Sequence, residues 1–175
     1  MKLKALLLLA FVSLTTFAQD TEFKFAKEGL TDFIVGKYEG SAKELYGRTM
    51  GWIKENKGYS VVSSVENEKI TFKGKKDPFI CSKAGGTNVC TIATFVIEIT
   101  FKEGKYKFDP ISLEEFDRKE TTTPQNLNDF SNYYNKDGSL KKYKDNVPAA
   151  YEDLFNGVNK NLLDYMDKKK KAEEW

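Results

Sequence analysis

The chain has 175 residues, 28 Lys+Arg against 26 Asp+Glu, and no histidine. The missing histidine excludes His-ligated metal sites, Ser-His-Asp and Cys-His catalysis, and any imidazole pH switch. Lys2 and Lys4 are the only charges in the first eighteen residues; without that segment the balance is 26 to 26, and a neutral chain lacks the basic surplus that nucleic-acid binding requires.

The opening residues, MKLKALLLLAFVSLTTFAQD, join a short positive stretch to an apolar run from Ala5 to Leu14 and then to small or neutral residues. This is the layout of a secretory signal peptide, with cleavage expected between Ala18 and Gln19. The apolar run is about half the roughly 20 residues needed to cross a bilayer, so no transmembrane segment is expected. No cysteine follows the cleavage point, which leaves the lipoprotein route unsupported. The mature protein is expected to be soluble and exported, periplasmic or extracellular. The expected organisation is a signal peptide over 1–18, an N-terminal tail over 19–29, one domain over 30–167 and a charged tail over 168–175. A chain of this size suits a single domain, and its 13 Phe, 9 Tyr and 2 Trp suit a packed core.

Phe33 to Tyr38 reads as a first strand. Ser41-Ala42-Lys43-Glu44 is a capping box, and Leu45, Tyr46, Thr49, Met50, Trp52 and Ile53 share one broad helical face ending at Lys57-Gly58. Gly47 and Gly51 fall on the opposite face. Either they let a partner approach closely or they are merely tolerated there, and tolerance at an exposed face is the simpler reading. Tyr59 to Val65 and Lys69 to Lys73 flank the polar turn Glu66-Asn67-Glu68 and read as a hairpin.

Cys81 and Cys90 are the only cysteines, and export places them in an oxidising space. Gly85-Gly86 between them returns the chain on itself, so a structural disulfide is expected. A redox pair normally has two-residue spacing, and zinc would need further Cys or His ligands. Ala93, Phe95, Ile97, Ile99 and Phe101 then alternate with Thr94, Val96, Glu98 and Thr100 in a strand with one apolar face. Lys102-Glu103-Gly104-Lys105 turns it into a partner strand carrying Tyr106 and Phe108. Residues 114–147 are less regular, with ETTTPQN expected to be a loop. After Pro148 a second helix places Tyr151, Leu154, Phe155, Val158, Leu162, Tyr165 and Met166 on one arc, with Glu152, Asn156, Lys160, Asp164 and Asp167 on the other side. Lys168 to Lys171 read as a solvated helix end rather than an anchor to acidic lipid. The order of elements argues for an α+β fold: a single antiparallel sheet of about five to six strands with two helices packed on one face and a polar opposite face.

Motifs for chemistry are thin. Ser139-Leu140-Lys141-Lys142 matches S-x-x-K but lacks its S-D-N and K-T-G partners, and about one chance match is expected in a chain this rich in lysine. Asn135-Lys136-Asp137-Gly138 fails as a calcium loop, because Tyr133 and Lys144 would occupy positions that require carboxylates, and it reads as a turn. Glu114, Glu115 and Asp117 cluster after the last strand and are expected to be solvated. Together with Glu98 they are the candidates for paired-carboxylate hydrolysis of a glycan. No phosphate loop or dinucleotide fingerprint occurs.

Two stretches, LTDFIVGKYEGSAKELYGRTMGWIKENKGYSVVSSVENEKITFKG and VIEITFKEGKYKF, with YNKDGSLKKYKDNVP leading into the last helix, resemble an uncharacterised family of exported bacterial proteins. That family is a domain of unknown function with a TBP-like fold, and the resemblance runs from Leu30 to Met166. It implies a TBP-like α+β sheet with flanking helices and carries no activity, so no catalytic residue transfers from it. The expected function is a non-catalytic binding or interaction module of the cell envelope, without cofactor, metal or nucleic acid. Its partner would be an envelope protein, a glycan or a small ligand, and the alternative is an envelope hydrolase.

Overall fold

The computed structural model describes residues 21–116 and 121–173. Its centre is a long hairpin, β8 (Ile92–Lys102) and β9 (Lys105–Phe116), turned at Glu103-Gly104. Beside β8 lie β5 (Lys69–Lys76) and then β4 (Ser60–Val65), which forms one sheet edge. The other side of β9 is shared by two short strands, β3 (Ile34–Lys37) at the hairpin-turn end and β10 (Thr122–Gln125) at the far end. All these pairings are antiparallel and make one six-stranded sheet. The expected α+β architecture, one sheet with two helices on one face, is what the structure shows.

Strand alternation decides which face is covered. Ala93, Phe95, Ile97, Ile99 and Phe101 of β8, Ile70 and Phe72 of β5, and Tyr106, Phe108 and Leu113 of β9 are all buried. Helix α1 (Ala42–Glu55) and helix α2 (Val147–Glu173) lie on that face. Contacts such as Trp52 to Phe72, with ring centroids 5.4 Å apart, and Phe95 to Phe155, at 6.3 Å, tie the layers together. The capping box starts α1 as expected: the Glu44 amide donates to Ser41 Oγ at 3.2 Å and the Ser41 amide donates to Glu44 Oε2 at 2.7 Å. Two part-buried polar clamps join the elements. Trp52 Nε1 donates to Asn161 at 2.7 Å and the Tyr106 hydroxyl donates to Asn159 at 2.7 Å. Two glycines face large rings across the sheet. A Cβ at Gly36 would sit 2.2 Å from its cross-strand partner Tyr106, and one at Gly74 would sit 2.4 Å from its partner Phe95.

Several expectations are corrected. The described part of the supposed N-terminal tail belongs to the domain: Phe23 is fully buried, and β1 (Phe25–Ala26) pairs with β2 (Gly29–Leu30). The hairpin docks through polar side chains on the side of α2 opposite its apolar arc. Asn156 accepts from the Phe23 amide at 2.8 Å and donates to its carbonyl at 3.0 Å, while Glu152 accepts from the Phe25 amide at 2.9 Å. The charged tail after residue 167 continues α2 to Glu173, with Lys169 paired to Glu55 at 3.0 Å and Lys170 to Glu39 at 2.9 Å. Part of ETTTPQN is the edge strand β10, where Pro124 is tolerated because an edge strand needs no outward donor. Gly47 meets open space, but a Cβ at Gly51 would come within 2.8 Å of the Tyr165 hydroxyl, so Gly51 admits α2 rather than a partner.

Cys81 and Cys90 form the expected disulfide across β6 (Cys81–Ala84) and β7 (Thr87–Cys90), with Cα atoms 4.0 Å apart. Residues 1–18, with the expected cleavage site, lie outside the described residues, as does Asp117. Among the described residues no helix is long and apolar enough to cross a membrane.

Candidate functional site

The site is built where the far end of the central hairpin meets the start of α2. Glu115 sits in β9, not after it, and pairs with buried Ala93, so it points to the helix face, whereas Glu114 pairs with Thr94 on the open face. The third candidate, Glu98, is also on the open face, ion-paired with Lys69 at 3.1 Å and accepting from Thr71 at 3.2 Å. Alternation therefore separates the carboxylates that the sequence brought under suspicion as a pair, and of the described three Glu115 is the one that lines the groove.

Above Glu115 lies a groove made of two adjoining hollows of about 380 and 770 Å³. Both are lined by Thr91, Glu115, Tyr133 and Lys144. The larger runs beneath the disulfide hairpin and the segment from Lys142 to Val147, and the smaller runs toward β10. The floor is set by an aromatic cluster. Phe25 stacks on Phe130 at 3.9 Å, and Phe79, Phe130 and Phe25 surround the Tyr151 ring at 5.1 to 5.3 Å. Those rings fix the Tyr151 hydroxyl, which donates to Glu115 Oε1 at 3.1 Å. The Tyr133 hydroxyl donates to Gln125 at 3.0 Å, and the Lys144 ammonium lies 5.4 Å from the Tyr133 ring centre.

Burial pushes the Glu115 carboxyl above its ordinary range; the Tyr151 hydrogen bond, Lys144 and Thr91 pull the other way without cancelling the shift. Burial, then the neighbouring Tyr133 and Glu115, push the Tyr151 hydroxyl far up, so it serves as a donor at any physiological pH. At the rim, Tyr143 is 78% exposed and holds φ at +69°, a left-handed conformation that a bulky residue adopts only when its surroundings impose it. Lys142 lies 5.1 Å from the Tyr143 ring centre.

Chemically the groove offers one neutralisable acid, tyrosine and threonine hydroxyls, and lysines. Asp145, the other described carboxylate lining it, is exposed at the rim. Among the described residues no group of three or more His, Cys, Asp or Glu side chains is placed to hold a metal. Ser139 lies in a turn far from any helix start, where its hydroxyl donates to Asp137 at 2.6 Å, so the S-x-x-K geometry is not formed. Asn135 to Ser139 closes as the expected turn, with Gly138 at φ +83°. The sequence pointed to Glu115 only as one of a cluster. Tyr133, Tyr143, Lys144 and Tyr151 carried no signal beyond their types, because they converge from a loop and a helix start that only the fold joins.

No protein-family model matches this chain, and no curated protein matches it. Solved structures do. A DUF4468 family protein from Bacteroides ovatus superposes with a TM-score of 0.59 at 14% identity, covering 85% of this chain and 92% of that one. A TBP-like protein from Parabacteroides distasonis superposes with a TM-score of 0.52 at 14% identity, covering 77% and 90%. The chain thus matches in structure a DUF4468 family protein and a TBP-like protein of related bacteria; at this identity the likeness establishes the TBP-like α+β fold and indicates no activity.

Proposed function

We propose that the protein is an exported, non-catalytic binding module of the cell envelope whose ligand, a glycan, lies in the groove over Glu115. The carrying observation is the composition of that groove. One half-buried carboxyl is fixed by Tyr151 at its centre, and an exposed tyrosine is held in a strained conformation at its rim. A sugar presents an apolar C–H face to an aromatic ring and hydroxyls to carboxyl, amide and ammonium groups, and the groove offers both kinds of surface within reach of each other. Hydrolysis is less well supported, because a glycosidase needs two carboxyl groups about 5 to 9.5 Å apart across the scissile bond, and Glu98 and Glu114 face away from the groove.

The test is an NMR titration with N-acetylglucosamine oligomers, followed by Tyr143→Ala and Glu115→Gln. Amide shifts confined to Thr91, Glu115, Tyr133 and residues 142–147, weakened at least tenfold by Tyr143→Ala, are expected. An unperturbed groove at millimolar oligosaccharide would remove the glycan, and release of shortened oligomers would move the reading to a hydrolase. Export rests on the N-terminal residues and has its own check. Intact mass from an exporting host should begin at Gln19 and be two hydrogens below the reduced mass, whereas a full-length reduced chain would overturn it.

A further inference from the structure

A second surface stands out on the open face of the sheet, at the end of the central hairpin away from the groove. Lys105 in β9 is directly opposite Lys37 of β3 on one side and Lys102 of β8 on the other, so three lysines form one cross-strand row. Neighbouring strands are about 5 Å apart, and like charges directly opposite one another destabilise a sheet. The next row holds Lys107 between Val35 and Thr100, with Lys69 beyond Thr100. Lys107 and Lys69 are neutralised by Asp109 and Glu98. Lys37, Lys102 and Lys105 are exposed and make no ion pair among the described residues. Glu39, the carboxylate next along the chain from β3, is engaged by Lys170 at 2.9 Å, and Glu103 sits in the turn between the two lysines it separates. Within this row and the next lies a hollow of about 340 Å³, lined by Val35, Thr100, Lys102, Lys105, Tyr106 and Lys107. In a chain whose charges otherwise balance, an uncompensated row beside a hollow is a local anion trap.

We infer that this lysine row is a seat for a small, multiply charged oxyanion of the diphosphate type, held by Lys37, Lys102 and Lys105 with Thr100 as a neutral donor. One ligand charge bridging adjacent ammonium groups converts the repulsion of the row into attraction, and two or more are needed to span it. The source is either a free diphosphate or the head group of a diphosphate-bearing lipid. The seat is independent of the groove over Glu115, lying at the other end of the hairpin and on the opposite face.

The test titrates the purified protein with inorganic pyrophosphate at low ionic strength, followed by NMR, alongside Lys105→Gln and, as a control on α2, Lys160→Gln. Shifts at Lys37 and across residues 100–107 are expected, with affinity lost at least tenfold in Lys105→Gln and retained in Lys160→Gln. Without ligand, Lys105→Gln should raise the melting temperature, and added salt should shrink the rise, because the row is self-repelling. Vesicles of phosphatidylcholine with and without a diphosphate-bearing lipid distinguish the two sources. Selective binding to the former assigns a lipid head group, and binding to soluble pyrophosphate alone assigns a free ligand. No shift in the row at millimolar pyrophosphate, equal shifts at Lys168 to Lys171, or a lowered melting temperature in Lys105→Gln would each overturn the inference.

Discussion

At the scale of single residues, two polar groups, one buried and one half-buried, define what this core tolerates. Thr49 is fully buried on the sheet-facing side of α1, and its hydroxyl has no hydrogen-bond partner among the described residues. A buried hydroxyl without a partner carries a desolvation cost that the isosteric methyl does not. Thr49→Val should therefore stabilise the protein by about 1 kcal/mol in urea unfolding, and a loss of stability would show that the hydroxyl has a role. Glu115 is the opposite case, a half-buried acid with a partner. Burial raises its pKa in the folded state above the ordinary 4.5, so the folded protein holds this proton more tightly than the unfolded chain does. The contribution is present below the unfolded value and is lost as pH rises through the folded one. Melting temperatures measured from pH 4 to pH 8 should thus show wild type falling relative to Glu115→Gln as pH rises above 4.5, and levelling once the carboxyl has ionised in the folded state. A parallel pair of curves would mean that the carboxyl is solvated. Neither residue could be assigned from its letter alone. Thr49 was legible as a core position by its helical spacing, but Glu115 differs from Glu114 only by strand parity, and parity is fixed by where β9 begins and by the bulge opposite Val96 and Ile97.

Among elements, α2 does more than its apolar stripe announces. Leu162 is fully buried, and Leu162→Ala should cost roughly 2 to 5 kcal/mol as a core truncation. Asn156, on the side opposite the apolar arc, holds both backbone groups of Phe23. Asn156→Ala should cost about 1 to 3 kcal/mol by leaving those groups unpaired, and hydrogen exchange should accelerate at Phe23 and in the β1–β2 hairpin while β8 stays protected. Uniform acceleration would mean that the hairpin is not a separate docking unit. The disulfide hairpin is peripheral in the same sense. Its bridge closes a short span, separation 9, and chain-entropy arithmetic gives roughly 2.7 kcal/mol at most. The Asn146 side chain reaches the Cys81 carbonyl and joins this hairpin to the segment that walls the groove. Replacing both cysteines with serine should therefore leave the sheet intact and weaken the groove, read as lost protection around Tyr143 with little change at β5.

For the whole molecule, the two faces of one sheet divide the work. The covered face supports α1, α2 and the groove, and the open face carries paired charges along its middle and the unpaired lysine row at its end. Strands β3, β4, β5, β8 and β9, both helices, the capping box, the turns at Glu103-Gly104 and Asn135 to Ser139, and the disulfide follow from the sequence, because each depends on spacing within a short stretch: period two, period 3.6, a cap, a glycine. What only the tertiary structure decided depends on contacts between distant stretches. The N-terminal hairpin docks on α2 across more than 120 positions of chain, β10 pairs along β9, Gly51 makes room for Tyr165, and Tyr133, Lys144 and Tyr151 gather over Glu115. Local periodicity determines which side of an element is apolar. It is silent about which polar side chain on the remaining side will meet a partner, because that partner is brought there only when the layers close.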